Sequence, residues 1–255
     1  MRRLIDFPCA GETLLGTLDE AAASTGLLIV SGGNEPRMGA HRGMALLAGR
    51  IAAAGWPVFR FDRRGVGDSS GENGGWASSA PDIAAAIAAF RREGPQLARL
   101  IGFGNCDAAT ALALFGEGLD ALVLANPWVV EPDGDLPPPA AIRAHYAERL
   151  RDPRQWWRLL SGGVDLRKLA RGLQAVAVAP AEQPLARRFA AAVKGRTATI
   201  VLARGDATAI AFADAVETFA PVWIDTNSHS FARQGDADAL FEAIAGVLKS
   251  SSSRP

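Results

Sequence analysis

Charge of one sign, cysteine, histidine and long apolar runs are all scarce in this sequence, and each scarcity narrows the possible functions. Its 255 residues carry 27 Lys and Arg against 27 Asp and Glu, so the formal net charge is zero. Without a basic excess there is no bulk field to attract nucleic acid or an anionic membrane surface, and neither is expected as a partner. No apolar run reaches the roughly 18 residues of a membrane-spanning helix. Near the start, Asp6 and the polar Gly11-Glu12-Thr13 interrupt any apolar core. No secretory leader and no membrane insertion are therefore expected, and the expected location is cytoplasmic. Only two cysteines occur, Cys9 and Cys106. The simplest reading is one buried packing thiol, Cys9, and one functional thiol, Cys106. No CxxC or HxxxH spacing exists, so neither a metal nor another cofactor is expected. Three histidines, His41, His145 and His229, are the only candidates for imidazole chemistry.

What is present is an alternation of strands and helices. Arg3 to Pro8 and Thr13 to Leu18 flank a Gly11-Glu12 turn and read as two short antiparallel strands. Gly26 to Val30 is an unbroken apolar run ending in Ser31-Gly32-Gly33-Asn34. Such a run fits a strand buried on both faces that stops at a functional rim. An Ala-rich helix over 44–54 is closed by Gly55. The strand 58–61 then enters a dense loop, Asp62-Arg63-Arg64-Gly65-Val66-Gly67-Asp68-Ser69-Ser70-Gly71. Its glycines lack the lysine and spacing of a phosphate loop, so it reads as a structural loop. Further helices are predicted over 79–91, 108–115, 187–193, 207–219 and 236–248. Further strands are predicted over 97–101, 121–124, 199–203 and 222–224. This order gives an α/β class with a mostly parallel central sheet flanked by helices.

Between residues 128 and 180 the alternation breaks. A proline-rich acidic stretch leads into helical spacing at Ile142, Tyr146, Leu150, Trp156, Leu159 and Leu160. This predicts an inserted helical lid over 128–180, dividing a core of 1–127 and 181–250. The polar tail 251–255 is expected to be disordered.

One stretch carries chemistry. Gly104-Asn105-Cys106-Asp107-Ala108 joins a strand to a helix and places a thiol at the corner, with small residues two before and two after it. This is the pattern of a nucleophile elbow with cysteine in place of the commoner serine. A thiol nucleophile needs a base and a group to orient that base. His229 lies in a polar loop between the last strand and the last helix, after the nucleophile, and is the predicted base. Asp206 follows the strand 199–203 directly and is the predicted orienting acid. Its other role would be to cap the next helix, and Asp214 and Asp225 are weaker alternatives for the acid. The amides of Asn34 and Asp107 are predicted to form the oxyanion hole. His41, Trp128, Tyr146 and Trp156 are candidates for a substrate pocket. The aromatic residues among these serve equally well as lid packing, and His145 reads as a lid residue.

The order of glycine loop, Asp62-to-Gly71 loop, elbow, Gly205-Asp206 and His229 resembles the α/β-hydrolase superfamily over nearly the whole chain. More closely, the chain resembles the exosortase A system-associated hydrolases of bacterial exopolysaccharide gene clusters. Gly32-Gly33 with Arg37-x-Gly39-x-His41-Arg42, the elbow Asn105-Cys106-Asp107, the segment Trp156 to Gly162 and Gly205-Asp206-x-Thr208-Ala209 carry that likeness. The resemblance implies a Cys-His-Asp hydrolase. The nucleophile, base and oxyanion residues together read as hydrolysis of a small-molecule acyl substrate: an ester, thioester or lactone. Acyl transfer in an exopolysaccharide or envelope pathway, and a non-catalytic ligand-binding homologue, are the alternatives.

Overall fold

The computed structural model describes residues 1–130, 183–233 and 235–252. The expected lid helices, with Tyr146, His145 and Trp156, lie outside the described residues, as do tail residues 253–255. The strands are β1 (Arg2–Cys9), β2 (Glu12–Asp19), β3 (Thr25–Val30), β4 (Val58–Phe61), β5 (Arg99–Asn105), β6 (Ala121–Ala125), β7 (Ala198–Ala203) and β8 (Val222–Ile224). The helices are α1 (Gly43–Ala53), α2 (Ala80–Glu93), α3 (Asp107–Phe115), α4 (Pro184–Val193), α5 (Ala207–Ala215) and α6 (Asp236–Ser252).

All eight strands join one sheet in the order β1-β2-β4-β3-β5-β6-β7-β8. β1 pairs antiparallel with β2, and β2 antiparallel with β4. Every other pairing is parallel. The sequence explains the interior position of β3, β5 and β6. Their residues between Leu27 and Val30, Leu100 and Gly104, and Ala121 and Ala125 are fully buried, as expected of parallel strands covered on both faces.

Alternate residues of each strand enter one of two cores. On one face Leu28, Val30, Phe59, Phe61 and Leu122 pack with α2, α3, α4 and α5 through Phe90, Leu112, Phe189 and Phe212. Phe59 and Phe90 stack at 5.5 Å between centroids. On the other face Leu27, Ile29, Val58, Phe103 and Val123 pack with α1 and α6 through Leu47, Ile51, Leu240 and Ile244. The sheet is thereby held rigid, and its parallel strands end together at one edge. The working residues of an open α/β sheet belong beyond that edge.

Among the boundaries that differ from expectation, β5 runs to Asn105 rather than residue 101, and two helix ends shift. α5 stops at Ala215, because Val216 turns to an extended φ of −136° and sinks into the core at 6% exposure. α6 runs through Ser252, so the last helix takes in the first residues of the expected tail.

Candidate active site

The elbow is built by crowding. β5 runs on through Gly102 and Gly104 to Asn105, and α3 starts at Asp107. A Cβ at Gly104 would lie 2.8 Å from the Ala108 carbonyl carbon and oxygen, so only glycine fits. Cys106 between the two elements has φ 60° and ψ −127°. A non-glycine residue held there costs on the order of 1–3 kcal/mol. Surrounding hydrogen bonds impose the geometry. The Cys106 N–H donates to Ala125 O at 3.0 Å, and the Cys106 carbonyl accepts from the N–H groups of Ala109 and Trp128 at 3.1 and 3.2 Å. The thiol is left partly exposed at the N-terminus of α3.

His229 meets it from the loop after β8. Its Nδ1 lies 2.9 Å from Asp206 Oδ1. The hydrogen bond that His229 makes to Asp206 first, and its interaction with Cys106 second, push the His229 pKa from 6.5 up to about 10. The structure therefore favours the imidazolium form between a carboxylate and the sulfur. Asp206 also performs the alternative role foreseen for it, since its Oδ2 accepts the Ala209 N–H at 3.0 Å and caps α5. One carboxylate serves both tasks. Asp225, the weaker alternative, has a side chain 97% exposed, beside Arg204.

Two asparagines not singled out from the sequence hold the histidine in place. Asn105 Nδ2 and Asn126 Nδ2 each donate to the His229 carbonyl at 3.1 Å. Asn126 is fully buried, donates also to Asn105 Oδ1 at 3.2 Å, and accepts the Ala203 N–H at 2.8 Å. It ties the ends of β5, β6 and β7 to the histidine loop. Its only sequence signal was its place at the end of a strand.

The loop after β3 lies against the elbow. A Cβ on Gly32 would fall 2.7 Å from Asn105 O and from Asp107 Oδ1. Gly33 N–H donates to Asp107 Oδ1 at 2.6 Å, and the Glu35 N–H closes the turn onto Gly32 O at 3.1 Å. Asn34 follows with its amide in that turn, and its side-chain Oδ1 accepts from Asn73 Nδ2 at 2.6 Å. As the first residue of α3, Asp107 carries an amide without an intrahelical partner. The loop that carries Asn34 thus lies against the elbow that carries Asp107.

Of the pocket candidates, Trp128 is pinned beside the elbow, with its carbonyl accepting from Thr110 Oγ1 at 2.6 Å and its ring edge-on to Trp76 at 6.3 Å. His41 is exposed on a short 3₁₀ turn over Ala40–Arg42, with φ 51°. The Asp62-to-Gly71 loop is structural. Buried Asp62 accepts from the Arg37 backbone and guanidinium and from the Asp68 N–H. Cys9 is buried, donates to Asp82 Oδ1 at 3.3 Å, and burial raises its pKa to about 11. Among the described residues no group of three or more His, Cys, Asp and Glu could hold a metal ion, and no helix is long and apolar enough to cross a membrane.

The family described as serine aminopeptidase, S33, matches residues 24–208, from β3 through the start of α5. The chain is an α/β-hydrolase of that family. No curated protein matches it in sequence. Among solved structures, an esterase of Pyrococcus furiosus, Pf2001, superposes with a TM-score of 0.64 at 13% identity, covering 98% of this chain and 90% of that one. The α/β hydrolase GrgF from Penicillium sp. sh18 gives 0.66 at 18% identity, covering 98% of each chain. A thioesterase domain from the curacin biosynthetic pathway gives 0.55 at 13%, covering 96% of this chain and 99% of that one. At such identities the likeness concerns the fold. The family's name specifies serine, whereas this α/β-hydrolase has Cys106 at its elbow.

Proposed function

We propose that the chain hydrolyses a carboxylic ester, thioester or lactone through Cys106, His229 and Asp206, by way of an acyl-enzyme on sulfur. The observation that carries this reading is His229, whose Nδ1 lies 2.9 Å from Asp206 Oδ1 and whose pKa is raised by Asp206 first and by Cys106 second. The Cys106 thiolate attacks the substrate carbonyl carbon and a C–S bond forms. The oxygen takes up negative charge facing the amides of Asn34 and Asp107, where a helix N-terminus favours it. The bond to the leaving group breaks, and the His229 imidazolium gives that group its proton. Neutral His229 then takes a proton from water as the water oxygen attacks the thioester. The C–S bond breaks, the thiolate returns, and the acid leaves. Asp206 holds the ring with Nε2 toward the sulfur through both steps. The esterase and thioesterase among the structural neighbours carry names in keeping with ester and thioester hydrolysis.

Incubation with p-nitrophenyl esters and acyl thioesters, followed by intact mass, tests the proposal. The expected result is one acyl adduct on Cys106, chased by water and absent in Cys106→Ala. His229→Ala is expected to slow turnover by about 10²–10⁴-fold. An adduct that persists in Cys106→Ala, or none in the wild type, counts against it. Adding hydroxyl or amine acceptors separates hydrolysis from transfer.

A further inference from the structure

Arg63 is a guanidinium at 4% exposure in a loop whose neighbouring charges have structural work of their own. Its Nη1 donates to Ser79 Oγ at 3.0 Å, and its Nη2 donates to the Gly33 carbonyl. The same Nη2 stands 3.6 Å from Asp107 Oδ2. Asp107 Oδ1 in turn accepts the Gly33 N–H at 2.6 Å. Both backbone groups of Gly33 are therefore gripped, one by a buried cation and the other by a carboxylate, and the two gripping groups pair with each other. Gly33 itself has φ 55°, a conformation that glycine adopts without cost.

The consequence falls on the next residue. The Gly33 carbonyl and the Asn34 N–H belong to one planar trans peptide, so they point in opposite directions. Fixing the carbonyl on Arg63 fixes the direction of the Asn34 amide. We propose that Arg63 and Asp107 are positioning residues that clamp Gly33 and so aim the Asn34 amide as an oxyanion donor before substrate arrives. The inference rests on the acyl-enzyme reading above and adds two side chains to it. Asp107 then has a second part: its backbone amide is one donor, and its side chain places the other. Arg63 also balances the Asp107 carboxylate, which would otherwise oppose the negative charge on Cys106 next to it. Charge-assisted hydrogen bonds of this kind are about twice as strong as neutral ones. A donor that is already aimed needs no reorganisation as charge develops.

The test compares two reactions of the same sulfur. Acylation by a p-nitrophenyl ester passes through a carbonyl oxyanion. Alkylation by iodoacetamide displaces iodide at a saturated carbon and needs only the thiolate. In Arg63→Ala and Asp107→Ala the acylation kcat is expected to fall about ten- to a hundredfold with KM within about threefold. The alkylation rate of Cys106 is not expected to fall. Asp107→Asn keeps an acceptor oxygen for the Gly33 N–H and is expected to recover about tenfold of the Asp107→Ala loss. Arg63→Lys, which keeps the charge and loses the fork, is read if circular dichroism shows Arg63→Ala unfolded, with the same direction of effect expected. Variants that acylate within twofold of wild type, or whose alkylation falls in parallel with acylation, overturn the clamp alone. A wild-type protein that forms no acyl adduct overturns the acyl-enzyme reading and the clamp together.

Discussion

At His229 two partners act in the same direction. Asp206 and Cys106 both favour the charged ring and raise its pKa to about 10, against 6.5 for the free side chain. A raised pKa means that the folded protein binds this proton more tightly than the unfolded chain does. Its contribution to stability is therefore complete below about pH 6.5 and is lost as pH rises through about 10. The difference in denaturation midpoint between wild type and His229→Gln is expected to be largest near pH 6 and to shrink steadily toward pH 10. A difference that grows with pH would contradict the assignment. The meeting of His229 with Asp206 was legible in the sequence, because three histidines leave few choices and chain order selects among them. The Arg63 grip on Gly33 was not. Nothing in local spacing joins a loop after β4 to a loop after β3, and only the folded sheet makes them neighbours.

Among the elements, the ends of β5, β6 and β7 meet at Asn126. Its side chain serves the Ala203 N–H, the His229 carbonyl and Asn105 together. Truncation leaves buried polar groups without partners, at about 1–3 kcal/mol each. Asn126→Ala is expected to lower the melting temperature by several degrees, at about 2–4 °C per kcal/mol for a chain of this size. It is also expected to lower kcat more than KM, since the histidine loop loses one of its two anchors. Differential scanning calorimetry beside steady-state kinetics checks both. The strands were readable as apolar runs bounded by glycine and polar residues. The extension of β5 to Asn105 was not, since glycine disfavours strands in general. Here Gly102 makes room for Leu119, whose Cδ1 would lie 2.6 Å from a Cβ at this position.

Over the whole molecule the two thiols have opposite surroundings. Cys9 is 5% exposed with a pKa pushed up to about 11, whereas Cys106 sits partly exposed at the site edge of the sheet. Iodoacetamide at neutral pH is expected to label one residue, Cys106, with Cys9 reacting only after denaturation. Peptide mapping of the labelled protein decides it, and equal labelling of both would refute it. The sheet also draws its site from both halves of the chain. The glycine loop after β3 and Cys106 after β5 come first, and Asp206 after β7 and His229 after β8 come last. A ribosome therefore delivers Cys106 well before Asp206 and His229. Until β7 and β8 dock, the growing chain holds Cys106 without Asp206 and His229 beside it. On the proposed mechanism, reactivity arrives with the last strand, so an unfinished or truncated chain is chemically quiet.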